Sequence, residues 1–193
     1  MPLGANKVAL FGVAGVDSGS AVLLSTATAS SSASIEFTLP TAYKQVKIAY
    51  YNITPATDAA EFEFDCSVSG SYGTTKTTMS FESWHEEADT SSGIGVSNTI
   101  QRLAQATDEQ ILMINMGNGA DESGSGILTL FNPSSTTYVK HFYSRSQYYH
   151  EANYTYDIPA SGYINTTSAL DGIKFSMSSG NIASGTIKMW GVR

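Results

Sequence analysis

Five tyrosines fall between residues 143 and 156: Tyr143, Tyr148, Tyr149, Tyr154 and Tyr156, interleaved with Arg145, Gln147, His150, Glu151 and Asn153. A tyrosine offers a rigid, flat apolar face with a polar tip, the surface that stacks on sugar rings or anchors a protein interface. Three readings stand side by side: subunit packing within an oligomer, recognition of a glycan or receptor, and ordinary tyrosines on sheet faces and at loop bases. Trp84-His85-Glu86-Glu87 has the residue types of a metal or acid–base site. Neighbours on a strand point to opposite faces, so His85 and Glu86 reach one ion only across a turn, and a solvated loop is expected there. His141, between Lys140 and Phe142, is expected to be packed or hydrogen-bonded.

Glycan hydrolysis needs two carboxylates about 5–10 Å apart across a cleft. The chain holds 17 acidic residues, and the sequence singles out no pair. Glu61, Glu63 and Asp65 share one face of a strand, and a row of like charges on a pleat reads as a wet face. Gly117 to Gly126 is rich in oxygen ligands and glycine but lacks the spacing of a calcium loop. There is no Gly-x-Ser-x-Gly turn and no phosphate loop. The expectation is therefore no catalytic residue, no metal and no cofactor.

The elements that must carry these residues are strands. Ile35, Phe37 and Leu39 alternate with Glu36 and Thr38, and Pro40 ends the run. Val46, Ile48 and Tyr50 alternate with Lys47, Ala49 and Tyr51. Phe62, Phe64, Cys66 and Val68 alternate with Glu61, Glu63, Asp65 and Ser67, the clearest amphipathic strand of the chain. Ser69 to Gly73 reads as a turn, with Thr74 to Trp84 as the hairpin partner of the preceding strand. Further strands are expected at Val8 to Val13, Gln110 to Met116 (apolar on both faces, hence central), Ile127 to Phe131 and Thr137 to Tyr149 (one long strand or a pair). Ile173, Phe175 and Met177 mark the penultimate strand. Asn98 to Gln105 reads as one or two helical turns with Ile100, Leu103 and Ala104 inward. The last fourteen residues, Gly180 to Arg193, read as a turn feeding a strand. Ile187 and Met189 alternate there with Thr186 and Lys188, and Gly185 sits where the chain bends in. A strand in that position is expected to be paired inside a sheet.

Nine or ten strands with almost no helix predict an all-β, single-domain, two-sheet sandwich. Its long and variable connections favour jelly-roll or Greek-key wiring over an up-and-down barrel. Composition agrees: 27 serines and 20 threonines, 11 tyrosines and only 14% charged residues suit pleated, half-solvated strands rather than a bundle. At 193 residues with 41% hydrophobic content, one domain can bury a sizeable core, and no repeat or linker divides it. Net charge −7 with no basic run argues against nucleic acid. No stretch approaches the roughly 18 apolar residues of a membrane helix, so no membrane insertion is expected. Cys66 is the lone cysteine, set in an apolar alternation, so it reads as a buried small hydrophobe in a protein folded in a reducing cytosol. No signal peptide is evident, and the sequons at Asn52, Asn153 and Asn165 read as chance matches in a Ser/Thr-rich chain. Residues 1–33 read as an N-terminal arm or attachment segment, in which Val22, Leu23 and Leu24 interrupt small polar residues. The folded domain is expected over 34–193.

Several segments, in order, are similar to a family of structural proteins from tailed bacteriophages. They are Ile35-Glu-Phe-Thr-Leu-Pro-Thr-Ala-Tyr-Lys-Gln-Val-Lys-Ile48, the strand and glycine–tyrosine turn from Phe62 to Gly73, and the strand, Asn132-Pro133-Ser134-Ser135 and strand between Gly126 and Lys140. The approach Ile164-Asn-Thr-Thr-Ser-Ala-Leu-Asp-Gly-Ile173 and the final Gly185-to-Val192 strand complete the match, which runs from about residue 34 to 193. The resemblance implies a β-sandwich on a virion surface, in a tail fibre, head fibre or capsid decoration. It also implies a homotrimer, folded in the host cytoplasm before assembly, with other virion proteins as partners and a possible host surface glycan. The chain departs from the family in lacking a long shaft before the matching region, which favours a knob, spike or decoration. The alternative function is a carbohydrate-binding, lectin-like module. A polysaccharide-degrading enzyme is third.

Overall fold

The computed structural model describes residues 21–97 and 101–193; the strand expected at Val8 to Val13 lies outside them. Thirteen strands form, and no helix is present among the described residues. They are β1 (Val22–Ser32), β2 (Ser34–Thr38), β3 (Gln45–Pro55), β4 (Ala60–Ser67), β5 (Lys76–Glu86), β6 (Ser92–Val96) and β7 (Ala104–Ala106), followed by β8 (Gln110–Met116), β9 (Gly124–Phe131), β10 (Lys140–His150), β11 (Tyr154–Ile164), β12 (Gly172–Met177) and β13 (Ile182–Val192). The strands pair antiparallel in the order β1-β13-β3-β9-β10-β8-β4-β12-β2, and a branch leaves β10 through β11 to β5, which carries β6 and β7. The result is one large antiparallel sheet, nearly barrel-shaped. β10 and β8 share a single ladder pair, His150 with Met116.

Period-2 alternation puts the core where the sequence places it. Ile35 and Phe37 of β2, Val46, Ile48 and Tyr50 of β3, Phe62, Phe64 and Cys66 of β4, and Ile173 and Phe175 of β12 are all buried. β8 is buried at six of its seven positions, as expected of a central strand. The aromatic rings interlock: Phe62 stacks on Phe175 at 5.7 Å, Tyr50 meets Phe62 edge-on at 5.3 Å, and Phe64 meets Phe142 edge-on at 5.1 Å. Such contacts add about 0.5–1.5 kcal/mol each beyond area burial. The buried Tyr50 hydroxyl is satisfied by Ser146 Oγ at 2.7 Å. β13 is paired on both edges, by β1 and β3. Gly185, at φ +129°, carries the irregularity between Ser184 and Thr186 that bends the strand.

Three expectations are corrected. The strands number thirteen rather than nine or ten. The additional ones include β6, Ser-Gly-Ile-Gly-Val, and β7, three residues long, both too short or too glycine-rich to show a pattern. The hairpin expected between Phe62–Val68 and Thr74–Trp84 does not form: β4 pairs β8 and β12, whereas β5 pairs β11, β6 and β7. The turn exists, with Ser69 and Gly70 at positive φ and Val68 bridged to Ser71, but beyond it the chain crosses to the far end of the sheet. The helical turn over 98–105 is replaced, where it is described, by a turn at 101–102 and β7; Leu103 is buried as expected, but Ala104 is exposed.

Candidate functional site: an aromatic hairpin and an acidic groove

The tyrosine segment folds as the β10–β11 hairpin, turning through residues 151–153 with Asn153 at φ 62°. Its register sets Tyr148 opposite Tyr156 and His150 opposite Tyr154. Alternation then divides the five tyrosines. Tyr148, Tyr154 and Tyr156 share the inner face; Tyr143 and Tyr149 stand on the outer one. Tyr148 is fully buried, and its hydroxyl oxygen accepts the Ile114 N–H at 3.1 Å. Tyr156 stacks against His150 at 4.8 Å, Tyr148 at 5.7 Å and Trp84 at 6.1 Å. These rings spend their faces on one another, so they form a packed ladder rather than an open platform. Burial raises the pKa of Tyr148 and Tyr156 and lowers that of His150, which Glu151 and Asp58 partly offset.

The outer face is different. Tyr143 is about half exposed (49%) and lies 5.6 Å from the Phe131 ring. Tyr149 donates to Asn153 Oδ1 at 3.0 Å. Between the two, Arg145 forks onto Asp157 across the hairpin, with Nε 2.8 Å from Oδ1 and Nη2 2.6 Å from Oδ2. Arg145 and Asp157 line a depression of about 510 Å³ together with Tyr51, Ser125, Ile127 and Gln147. The same face carries exposed Met79 and Phe81 of β5, Ile94 and Val96 of β6, and Ile127 of β9. Register gathers them, because Phe81 faces Val96, Met79 faces Ser161, and Ser161 faces Tyr143.

A second concavity, about 1100 Å³, lies over β2, β12, β4 and the segment before β8. Glu36, Glu61, Glu63, Asp108 and Glu109 line it, with Lys174 and Arg102 as its cations. Lys174 Nζ sits 2.6 Å from Glu109, whose other oxygen accepts Ser176 Oγ at 2.5 Å. Desolvation, followed by the charges of Glu109 and Glu61, pushes Glu63 up to about 7. A carboxyl group raised in this way has the kind of pKa that a general acid uses. Asp65, expected on this wet face, is instead buried. It accepts from Cys66 N at 2.8 Å and Gly73 N at 2.6 Å, and it pairs with buried Lys76 at 2.5 Å. The signal for that exception lies beyond the strand, in the turn that brings Gly73 and Lys76 back over β4. The sequence reading also passed over Glu109, Lys174 and the Arg145–Asp157 fork, none of which stands out by spacing.

The remaining candidates resolve locally. His85 and Glu86 point to opposite sides of β5: His85 Nε2 pairs with Asp89 at 2.9 Å, and Glu86 accepts from the Thr90 hydroxyl. Among the described residues no three His, Cys, Asp or Glu side chains are grouped to hold a metal ion. In the glycine-rich loop Glu122 turns back onto the Gly119 N–H at 2.6 Å, and Asp58 accepts from the Asn118 N–H at 3.2 Å. Cys66 is buried, and burial raises its thiol pKa far above the ordinary range. Val22, Leu23 and Leu24 open β1, an edge strand: Val22 and Leu23 are about half exposed, and Leu24 packs against the core. No helix among the described residues is long and apolar enough to cross a membrane. No family model, no curated protein and no solved structure matches the chain.

Proposed function

We propose that this chain is a structural module of a tailed-bacteriophage particle, a surface knob, decoration or fibre head that works by packing rather than by turnover. In this reading the strands form two layers, β8-β4-β12-β2 facing β1-β13-β3-β9-β10, with the aromatic core between them and the single His150–Met116 pair as a corner. The observation that carries it is the outer face of the β6-β5-β11-β10-β9 branch. Met79, Phe81, Ile94, Val96, Ile127 and Tyr143 are all 40% or more exposed there. A sheet face of that kind is a contact surface. The occupant is a further copy of the chain, in a homotrimer. The chain carries −7 overall, but the ion pair in the middle of this face, Arg145 with Asp157, is internally neutral, so copies meet there with least repulsion. Residues 1–33 supply attachment to other virion proteins, and Val22 and Leu23 present the exposed apolar groups for it. Sedimentation of the purified protein is expected to give an assembly in multiples of three chains, which Phe81→Glu with Ile127→Glu breaks down. Particle proteomics is expected to find the chain in stoichiometric copies, and its absence from particles sinks the reading.

A second reading, a lectin-like module that takes a host surface glycan, is favoured by the depression at Tyr51. An exposed ring beside Gln147 and the Arg145–Asp157 fork supplies a stacking face next to hydroxyl partners. A glycan array discriminates: a specific signal lost in Tyr51→Ala supports it, and silence on every glycan removes it.

A further inference from the structure

β1 is eleven residues long and ends the strand order. Its only ladder is with β13, where Thr26 faces Lys188 and Thr28 faces Thr186. The opposite row of its backbone N–H and C=O groups pairs with no strand among the described residues. Natural edge strands are guarded by charge, by proline or by shortness. β1 has none of these: Val-Leu-Leu-Ser-Thr-Ala-Thr-Ala-Ser-Ser-Ser contains no charged residue and no proline. It does carry two irregularities, a register shift between Leu23 and Ser25 at its beginning and Ser31 at φ 54° near its end. Val22 and Leu23 remain 47% and 52% exposed.

We propose that this free edge pairs antiparallel with β1 of a second copy, so that two sheets run on as one. The charge pattern selects the occupant. In a chain of net charge −7, an uncharged eleven-residue edge is a line along which two copies approach without opposing like charges. Antiparallel self-pairing is closed by a two-fold axis, so this seam joins two chains and does not itself grow into a fibre. Full overlap centres that axis on Ala27 and sets Thr26 opposite Thr28 of the second copy. Cross-strand threonine pairs are favourable, whereas like charges directly opposite one another are not. Eleven residues at about 3.3 Å each give a seam of roughly 36 Å. Val22 and Leu23 lie at its two ends and add apolar area to the backbone bonds. The contact is separate from the outer sheet face, and because it occupies Val22 and Leu23 it competes with the attachment proposed for them.

The test uses the full chain carrying Phe81→Glu and Ile127→Glu, so that association through the outer face is removed. In that background native mass spectrometry and sedimentation are expected to show a two-chain species, with β1 amide protection that rises with protein concentration. Thr26→Glu with Thr28→Glu sets glutamate against glutamate across the axis. It is expected to return a single chain at least tenfold more readily on dilution, while near-ultraviolet circular dichroism and the melting transition stay in place. The glutamates are tolerated by the fold because both positions are exposed, and position 26 faces Lys188 of the same chain, an opposite charge. A single-chain species before the glutamates are introduced overturns the proposal, as does a two-chain species indifferent to them. Protection of β1 that is independent of concentration also overturns it, because the edge is then covered within one chain. Absence of assemblies in multiples of three from the parent protein, with the two-chain species retained, would refute the trimer and leave this seam standing.

Discussion

Glu63 shows how one side chain can read two ways. Its spacing with Glu61 marks it as solvated, but the groove half-buries it among carboxylates and its pKa rises from 4.5 to about 7. The sign follows from linkage. The folded state holds the proton more tightly than the unfolded chain does, so this residue's contribution to stability is full below about pH 4.5. It is lost as pH rises towards and through 7. Glu63→Gln keeps the neutral shape and removes the titration. The difference in urea midpoint between variant and parent is expected to grow in the variant's favour from pH 5 to pH 8 and to vanish near pH 4.5. A difference that is flat across that window means that Glu63 is ordinarily ionised.

Lys76 and Asp65 make the opposite case. Both are buried, and the ammonium also donates to the Thr74 carbonyl at 2.8 Å and the Asp108 carbonyl at 3.1 Å. Breaking such a pair leaves an uncompensated charge in the interior, which costs about 3–5 kcal/mol. Lys76→Met alone is expected to destabilise by that amount in denaturant unfolding. Lys76→Met with Asp65→Asn should recover part of it, and a double variant no better than the single one would show that the pair is not coupled. Lys140 is buried differently. It has two carbonyls, of Thr166 and Ser168, in place of a carboxylate, and burial lowers its pKa. Its role is to hold the loop after β11 against β10.

At the scale of the element, legibility tracked whether one strand's own pattern was enough. β2, β3, β4 and β12 alternate cleanly against a core that covers one face, so their inward residues were readable from period 2 alone. Which strand pairs with which was not readable, because pairing is a property of two sequences. The β4–β5 hairpin failed for that reason: the turn is real, and Asp65 holds Gly73, Thr74 and Lys76 over β4, but the strand that follows pairs β11, β6 and β7. The tyrosine hairpin was found as a segment but not as a geometry. Only the register of β10 on β11 shows that Tyr148, Tyr154 and Tyr156 turn inward while Tyr143 and Tyr149 turn out.

β6 gave no signal at all, and its glycines explain why. A Cβ on Gly93 would come within 2.6 Å of the Trp84 ring, whereas one on Gly95 would rest in ordinary contact at 3.7 Å. Trp84 therefore lies across a strand kept bare at Gly93, and it caps the ladder it forms with Tyr156. Gly93→Ala is expected to displace the indole, alter the near-ultraviolet circular dichroism and destabilise by about 1–3 kcal/mol, the range for overpacking. Gly95→Ala is expected to leave the spectrum unchanged. Equal effects at both positions would mean that glycine flexibility, rather than room for the indole, is what β6 needs.

Across the whole molecule, charge and apolar exposure are arranged against each other. Five of the 17 acidic residues line the groove over β2, β4 and β12, while half-exposed apolar side chains gather on the branch through β5 and at the start of β1. Both proposed contacts are therefore driven by apolar burial and backbone pairing, and both are opposed by the net charge of −7 on each copy. Salt then has a definite sign. Raising ionic strength from about 0.01 M to 0.15 M shortens the screening length from roughly 30 Å to 8 Å. That removes most of the long-range repulsion between copies and leaves the apolar term untouched. Association measured by sedimentation is expected to tighten over that range. It should tighten again as pH falls towards the isoelectric point near 4.8, where the repulsion itself disappears. An assembly held by ion pairs across the interface, such as an exchange of Arg145 and Asp157 between copies, behaves in the opposite way and loosens with salt. Dissociation on adding salt would therefore mean that ion pairs between copies, rather than apolar burial, hold the assembly together.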